Sequence, residues 1–343
     1  MKTIFKKMIQ ELKQKNNLML VTIIAEQGTT PRGTGSQMLV GAKGQLAGTI
    51  GGGAVEKSAE LYAMELMKDG RSELHEFHLH NDQDGNLDMA CGGDVTVLFY
   101  YIDGHDGCWK NIAENALERI ASKKAGWLVQ GINGTKAALL NENGESLVGE
   151  LDEKNDELMK KTSILSGNCF SMPLPIGERA IIFGGGHCGL ALAPVLKSIG
   201  FRVVVFDDRE EYANWERFPD AEQVICGDYM HLADYITLTE DDYVIVMTTG
   251  HRHDFEVEEQ ALRGPLAYIG AMGSPAKTES VNKRLLEQGI SEEDLKRVYT
   301  PIGLNIKGST PEEIAISIAA EMILVRSTRL EAEGNLKFSC PVK

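Results

Sequence analysis

The sequence predicts an α/β protein in which a Rossmann-type, doubly wound parallel sheet follows an N-terminal α+β domain. In the second half, short runs rich in Val and Ile alternate with segments long enough for helices, the pattern of a parallel sheet covered on both faces. The turn GGGHCG at residues 184–189 directly follows the first of these runs and opens a helical segment. That strand–turn–helix context distinguishes it from an isolated glycine cluster.

Length and composition bound the prediction. A chain of 343 residues with 43% hydrophobic and 25% charged residues is long enough for two globular domains. The formal net charge of −15, without any run of Lys or Arg, argues against nucleic acid or an anionic membrane as a partner.

Cysteine usage and the opening residues indicate a compartment. The six cysteines are scattered and include no C-x-x-C pair, so neither a disulfide framework nor a structural zinc site is expected. The opening residues lack the continuous apolar stretch of a signal peptide, and no run is long enough to span a membrane. We therefore expect a cytoplasmic protein.

The first half reads as a small domain over residues 1–103. An amphipathic helix at the start is followed by a buried strand at 18–25. Nine glycines between Gly28 and Gly53 interrupt short apolar runs and predict short strands joined by tight turns. A helix over 54–67 that stops near Gly70 and a strand at 95–102 complete the domain.

The rest of the chain divides into three parts. Residues 104–175 are predicted to be an extension and linker, with a helix from Trp109 to Ser122, a strand at 127–130 and a hairpin around 141–144. Residues 176–330 form the Rossmann-type domain, and residues 331–343 a tail. The last helix of the Rossmann-type domain opens with a capping box of Thr310 and Glu313. The strands of its sheet are predicted at 180–183, 202–206, 223–225, 243–247 and 267–270.

The glycine-rich turn carries the pattern of a dinucleotide site. Its first glycine permits the tight turn, the second lets a pyrophosphate approach the backbone, and the third allows close packing of helix on sheet. An acid at the end of the next strand would accept from a ribose hydroxyl and repel a 2′-phosphate, so NAD is expected rather than NADP. The alternative is a Rossmann fold whose nucleotide site is unused. The predicted cofactor-binding residues are Gly184, Gly185, Gly186, His187, Gly189 and Asp207.

Further polar residues fall at the same edge of the predicted sheet. Cys188, in the first turn of a helix, is either a low-pKa thiolate or a small side chain packed on the sheet. The turn at Ser274 and Lys277 is either a second anion-binding turn or a tight connection. The segment GHRHD at 250–254 supplies metal candidates or, alternatively, an ordinary helix start with Asp254 as N-cap. The metal candidates are His187, His251, His253 and Asp254, with spacing that fits no closed tetrahedral site.

Three glycine-rich segments of the first domain look like a cradle for a cofactor or polyanion. Residues 28–35 combine hydroxyls and glycines with one cation, residues 51–56 bring amides to a helix start, and residues 89–94 place a thiol beside two glycines. The alternative for each is ordinary turn chemistry. The candidate residues are Arg32, Gly51, Gly52, Gly53, Glu56, Cys91, Gly92 and Gly93.

Taken together, these motifs resemble the XdhC/CoxI family of xanthine dehydrogenase accessory proteins. The resemblance covers nearly the whole chain in the family's order and is weakest at 104–175. The first half contributes GTTPRGTGSQMLV, GTIGGGAVE and ACGG. The second half contributes FGGGHCGLALAPV, FDDR, TTGHRHD, YIGAMGS and PIGLNIKGSTPEEIAISIAAE.

The resemblance implies a maturation role. Members of the family are thought to bind the molybdenum cofactor, assist the exchange of an oxo for a sulfido ligand, and deliver the cofactor to a molybdenum hydroxylase such as xanthine dehydrogenase. A cysteine desulfurase is the implied second partner, and a homodimer is expected. Because molybdenum and sulfide are soft, Cys91 or Cys188 would have a reason to face the site.

Two alternatives come from other classes. An NAD-dependent oxidoreductase would use the glycine turn and Asp207, but the sequence shows no convincing acid–base group outside the Rossmann domain. A nucleotide-sensing regulatory module would bind a ligand in the Rossmann domain and a partner through the first domain. Tight NADH binding without pterin binding would favour the former, and ligand-dependent complex formation without cofactor transfer the latter.

Overall fold

The structure is a computed structural model that describes residues 1–79, 93–152 and 156–332. The chain divides into two compact units, the first taking in residues 1–176 and the second residues 177–329. Across the described ranges, no helix has the length and apolar character needed to cross a membrane.

The first unit contains two five-stranded antiparallel sheets. Their orders are β3-β2-β1-β5-β4 and β8-β7-β6-β10-β9. The elements are α1 (Lys2–Leu12), β1 (Leu18–Gln27), β2 (Gln37–Gly41), β3 (Gly44–Gly48), α2 (Gly53–Asp69), β4 (Glu73–His78), β5 (Asp94–Ile102), α3 (Gly107–Ala121), β6 (Trp127–Gly131), β7 (Ala137–Leu140), β8 (Ser146–Gly149), β9 (Ile164–Ser166) and β10 (Cys169–Pro173).

Strand β1 explains why one run of this unit, residues 18–24, is apolar at every position except Thr22. Its even-numbered residues, such as Leu20, face a core shared with α1 and α3, while Met19, Val21 and Ile23 face a core shared with α2. A strand buried on both faces cannot alternate apolar and polar residues. Helix α2 ends as predicted at Gly70, whose φ of 63° is left-handed.

The second unit is a six-stranded parallel sheet with helices on both faces. Its order is β13-β12-β11-β14-β15-β16, which is the 3-2-1-4-5-6 order of a Rossmann fold. The elements are β11 (Arg179–Phe183), α4 (His187–Ser198), β12 (Arg202–Asp207), β13 (Gln223–Cys226), β14 (Tyr243–Val246), α5 (Asp254–Leu262), β15 (Tyr268–Ala271), α6 (Pro275–Glu287), α7 (Glu292–Leu295), β16 (Val298–Tyr299) and α8 (Pro311–Ala332).

Alternating residues of these strands feed two separate cores. Ile182 packs on the face covered by α4 and α8, whereas Ile181 and Phe183 pack on the face covered by α5 and α6. The predicted α/β fold and its five long strands are confirmed, and so is the capping box, since Glu313 N donates to Thr310 Oγ1 at 3.2 Å. Because all pairings are parallel, the carboxyl ends of the strands meet at one edge.

Candidate functional site

The glycine turn after β11 contains glycines that the fold requires and one glycine, Gly186, that faces open space. Gly184 has a φ of 126°, and a side chain there would collide with the carbonyl oxygen of Met247. A Cβ on Gly186 would meet nothing closer than Thr249 Oγ1, at 3.7 Å. The first glycine is therefore required by the fold, while the second leaves room for a ligand to approach the backbone.

Helix α4 begins at this open position without a capping side chain. Its N-cap is Gly186, so no side-chain oxygen accepts from the first-turn amides. These amides lack intrahelical acceptors, and the helix dipole adds partial positive charge there. Arg209 lies beside them, since its Nη2 donates to Thr249 Oγ1 at 2.6 Å. The amides, the hydroxyl and the guanidinium together present donors of the kind that can interact with an anion, although Arg209 also pairs with Asp207 and Asp208.

Asp207, the last residue of β12, accepts a hydrogen bond from the glycine turn. The side chain is fully buried, and its carboxylate accepts from Gly185 N at 2.9 Å and from Arg209 Nε at 3.0 Å. A ribose hydroxyl would therefore share oxygens that already accept hydrogen bonds. Sequence reasoning overlooked Arg209, although the FDDR segment places it two residues after the acid.

The idea of a low-pKa thiolate at Cys188 is wrong in this structure. The side chain packs against the core shared by α4 and α8. Burial, and then the negative charge of Glu312, raise the pKa of the thiol above its ordinary value. The packing alternative therefore accounts for this cysteine, because burial disfavours the charged thiolate.

The segment after β14 forms an ion pair. Asp254 is fully buried, accepts from Thr248 N at 3.0 Å, and pairs with the ammonium of Lys277. Lys277 Nζ also donates to Met272 O at 2.7 Å. Helix α5 begins at Asp254 with His253 at the N-cap, so the alternative of Asp254 as the N-cap is corrected by one residue.

The metal candidates are dispersed among other interactions. The ring of His253 stacks on Tyr229 with centroids 5.0 Å apart, and His187 is exposed. The side chain of His251 lies outside what the structure describes. Over the described parts of the chain, no group of three or more His, Cys, Asp or Glu residues could hold a metal ion.

In the first unit, the glycine-rich segments come together at one end of the first sheet. A Cβ on Gly51 would lie 2.9 Å from Pro31 Cβ and 3.5 Å from Arg32 Cγ, which joins the second segment to the first. A Cβ on Gly93 would lie 2.5 Å from Thr29 O, which joins the third. The described residues of the three segments therefore form one spatial cluster. Cys91 and Gly92 lie outside the described residues.

In this cluster Glu56 is held by backbone hydrogen bonds, whereas Gly52 faces open space. Glu56 accepts from Ile50 N at 3.1 Å and Gly52 N at 3.2 Å. Burial opposes its ionisation, but hydrogen bonds from Thr49, Ile50 and Gly52 outweigh burial and lower the pKa of Glu56. Gly52 faces open space, since a Cβ there would have no atom within 4 Å. Glu56 is thus a structural brace, while the start of α2 at Gly53 stays open to a ligand.

Arg32 supplies the cation of this cluster. Its side chain is exposed, and no ion pair joins it to any acid in the parts of the chain that the structure describes. An exposed guanidinium beside the start of α2 is suited to an anionic group, because Arg donates in a fixed fork and stays charged.

The chain combines a Rossmann-type parallel sheet with an α+β unit that carries glycine-rich turns. The profile of the XdhC Rossmann domain matches residues 180–322, and that of the XdhC and CoxI family matches residues 12–78. The chain belongs to the XdhC/CoxI family.

Curated relatives extend the match along the chain. It is 28% identical over 324 residues to a probable xanthine dehydrogenase subunit of Bacillus subtilis, covering 92% of this chain and 95% of the relative. It is 22% identical over 328 residues to the molybdenum cofactor insertion chaperone PaoD of Escherichia coli, covering 95% and 88%. The Escherichia coli protein YqeB is 23% identical over 309 residues, 90% of this chain, and the chain spans 43% of its length.

One solved structure shares the whole architecture. A protein of Bacillus halodurans described as a xanthine dehydrogenase superposes with a TM-score of 0.76 at 24% identity, covering 96% of this chain and 97% of that one. At this identity the likeness establishes the fold.

Proposed function

We propose that this chain is a maturation factor that binds the molybdenum cofactor and delivers it to a molybdenum hydroxylase such as xanthine dehydrogenase. The names of two relatives, an insertion chaperone for this cofactor and a probable component of xanthine dehydrogenase, support the role. In this proposal the cofactor is cargo.

The convergence of three glycine-rich segments beside Arg32 is the observation that carries the proposal. The cargo is a pterin with a phosphate tail, so it needs exposed amides and a local cation. The uncapped start of α2 offers amides, the exposed Arg32 supplies the cation, and Gly52 leaves room because a Cβ there would meet no atom within 4 Å. A protein with a net charge of −15 can hold such an anion only through a local site of this kind.

The glycine turn of the second unit offers a further phosphate site. The amides of α4, Arg209 and Thr249 form it, and an NAD-like nucleotide is our proposed occupant. The Asp207 carboxylate already accepts hydrogen bonds from Gly185 N and Arg209, so in this proposal the protein recognises the nucleotide mainly through its phosphates.

We further propose that the chain assists sulfuration as a homodimer together with a cysteine desulfurase. Cys91 is the better thiol candidate, because Cys188 packs against a core and its pKa is raised by burial. A thiol with a raised pKa is a poor soft ligand near neutral pH.

The test is the pterin content of the protein isolated from cells that make the cofactor. After oxidation, pterin fluorescence should accompany the wild-type chain and fall roughly tenfold, or about 1.4 kcal/mol, in Arg32→Gln. Arg71→Gln is the matched control, because Arg71 is an exposed arginine of the same unit that contacts Asp69 and Glu73 instead. Equal pterin content in Arg32→Gln and Arg71→Gln would show that Arg32 does not bind the cofactor. Absence of pterin from the wild-type protein would reject the proposed function.

A further inference from the structure

One cavity of the second unit is lined by residues of helix α4 and of the segment 217–221 that precedes β13. Its volume is about 230 Å³, below the roughly 300–1,000 Å³ of sites for drug-sized ligands. Six of its lining residues are apolar: Leu190, Ala193, Pro194, Phe218, Pro219 and Ala221. A wall of this kind suits a small molecule with an apolar body, since burial of that body removes apolar surface from water.

Two charged side chains, Arg217 and Asp220, complete the lining of this cavity. Asp220 is exposed and pairs with the ammonium of Lys197. Arg217 is partly buried, and in the described parts of the chain no Asp or Glu carboxylate lies within ion-pair distance of it. The guanidinium of Arg217 is therefore the charge of the cavity that still lacks an ionic partner.

The guanidinium of Arg217 also has few hydrogen-bond acceptors. Its Nη2 donates to Gly185 O at 3.1 Å, and its buried Nε has no acceptor among the described residues. Its Cζ lies 5.2 Å from the ring centroid of Tyr212 and 5.9 Å from that of Phe218. Ring faces attract a cation but supply no oxygen acceptor. The guanidinium therefore keeps donors for an anion, and a carboxylate matches its planar fork.

The fold holds Arg217 in place before any ligand binds. Its backbone N donates to Asn214 Oδ1 at 3.0 Å, and the next residue, Phe218, is buried in the core shared by α4 and α8. The same segment packs against the glycine turn, because a Cβ on Gly185 would collide with Tyr212 O. Binding at Arg217 therefore need not order a freely moving side chain, which lowers the entropic cost of binding.

We propose that this cavity binds a small organic carboxylate, with the carboxylate on Arg217 and the apolar body against α4. An inorganic anion would pair with the guanidinium but leave the apolar wall uncovered. A neutral apolar molecule would cover the wall but leave the guanidinium unpaired. The site goes beyond cofactor carriage, and its test does not depend on the cargo.

Titration of the full-length protein with benzoate at pH 7, followed by ligand-observed NMR, tests the proposal. Benzoate should bind roughly tenfold more tightly than acetate, which lacks the apolar body, and than benzamide, which lacks the charge. In Arg217→Gln the affinity for benzoate should fall roughly tenfold. Arg263→Gln is the matched control, because Arg263 is a surface arginine of the same unit that pairs with Glu259. Its affinity for benzoate should equal that of the wild type.

Two further variants decide the test if circular dichroism shows that Arg217→Gln does not fold. Ala221→Leu fills part of the cavity and leaves both charges in place, so it should also bind benzoate roughly tenfold more weakly. Arg217→Lys keeps the charge without the fork and should bind benzoate with an intermediate affinity. Unchanged benzoate affinity in Arg217→Gln or in Ala221→Leu would overturn the proposal. Displacement of benzoate by pyrophosphate at equal ionic strength would also overturn it, because the probe would then lie at the glycine turn.

Discussion

Replacing Glu258 by Gln should make the stability of the second unit less dependent on pH. Burial, followed by the charge of Asp254, raises the pKa of Glu258 from an ordinary value of 4.5 to about 8 in the folded protein. Below pH 4.5 both states are protonated and the group has no effect. Between pH 4.5 and about 8 the unfolded chain has released a proton that the folded chain retains, so the free energy of unfolding falls as pH rises.

The magnitude follows from the size of the shift. A shift of this size corresponds to roughly 4 to 5 kcal/mol at about 1.4 kcal/mol per pKa unit. Relaxation and water penetration reduce such values, so we expect about 2 to 4 kcal/mol between pH 5 and pH 9. Gln has nearly the same shape and no charge, so the variant should gain this amount over the wild type as pH rises.

Urea unfolding followed by circular dichroism at several pH values measures the effect. The relevant transition is that of the second unit, because a chain of two units need not unfold in one step. Glu259→Gln should track the wild type, since Glu259 pairs with Arg263 on the surface. Parallel stability curves for Glu258→Gln and the wild type across this range would refute the reasoning.

Three further predictions concern the same edge of the sheet. Gly186→Ala should change the free energy of unfolding by less than about 0.5 kcal/mol but bind pyrophosphate roughly tenfold more weakly in titration calorimetry. Gly189→Ala should lower the free energy of unfolding by about 1 to 3 kcal/mol in thermal unfolding, because its Cβ meets the Gly184 carbonyl. A larger loss of stability in Gly186→Ala than in Gly189→Ala would contradict this assignment. Cys188 should be alkylated more slowly than a free thiol at pH 7, as mass spectrometry would show, and fast modification would contradict its packing. Lys277→Met should destabilise the chain by about 3 to 5 kcal/mol in urea unfolding, because the buried Asp254 carboxylate loses its ammonium partner, and a neutral effect would count against the ion pair.

The second unit was predicted well from sequence because its strands carry clear patterns. Runs such as 202–206 are continuous and β-branched, as strands buried on both faces must be, and glycine turns mark their ends. The strand β16 was missed because two residues carry no periodicity. In the second antiparallel sheet of the first unit, the strand predicted at 127–130 is β6 and the hairpin predicted around 141–144 joins β7 to β8. Strands β9 and β10 were missed, since strands of three to five residues look like loop segments.

The sequence showed the glycine turns of the candidate site but not the side-chain pairings around them. Gly51, Gly52, Gly53 and Gly184 have a positive φ that favours glycine, and such glycine clusters are visible directly in the sequence. The pairing of Asp254 with Lys277 depends on α5 and α6 lying side by side, which a linear pattern does not specify. For the same reason, the sequence could place an acid at 207 without showing that Gly185 N already donates to it.

Transfer of cofactor to an enzyme that lacks it tests the central claim most directly. A cofactor-free molybdenum hydroxylase is mixed with the full-length chain isolated from cofactor-producing cells, and its activity is followed against the same amount of free cofactor. We predict that activity recovers faster with the loaded chain and that the recovery is reduced with Arg32→Gln. Recovery that is equal with and without the chain would contradict the carrier role.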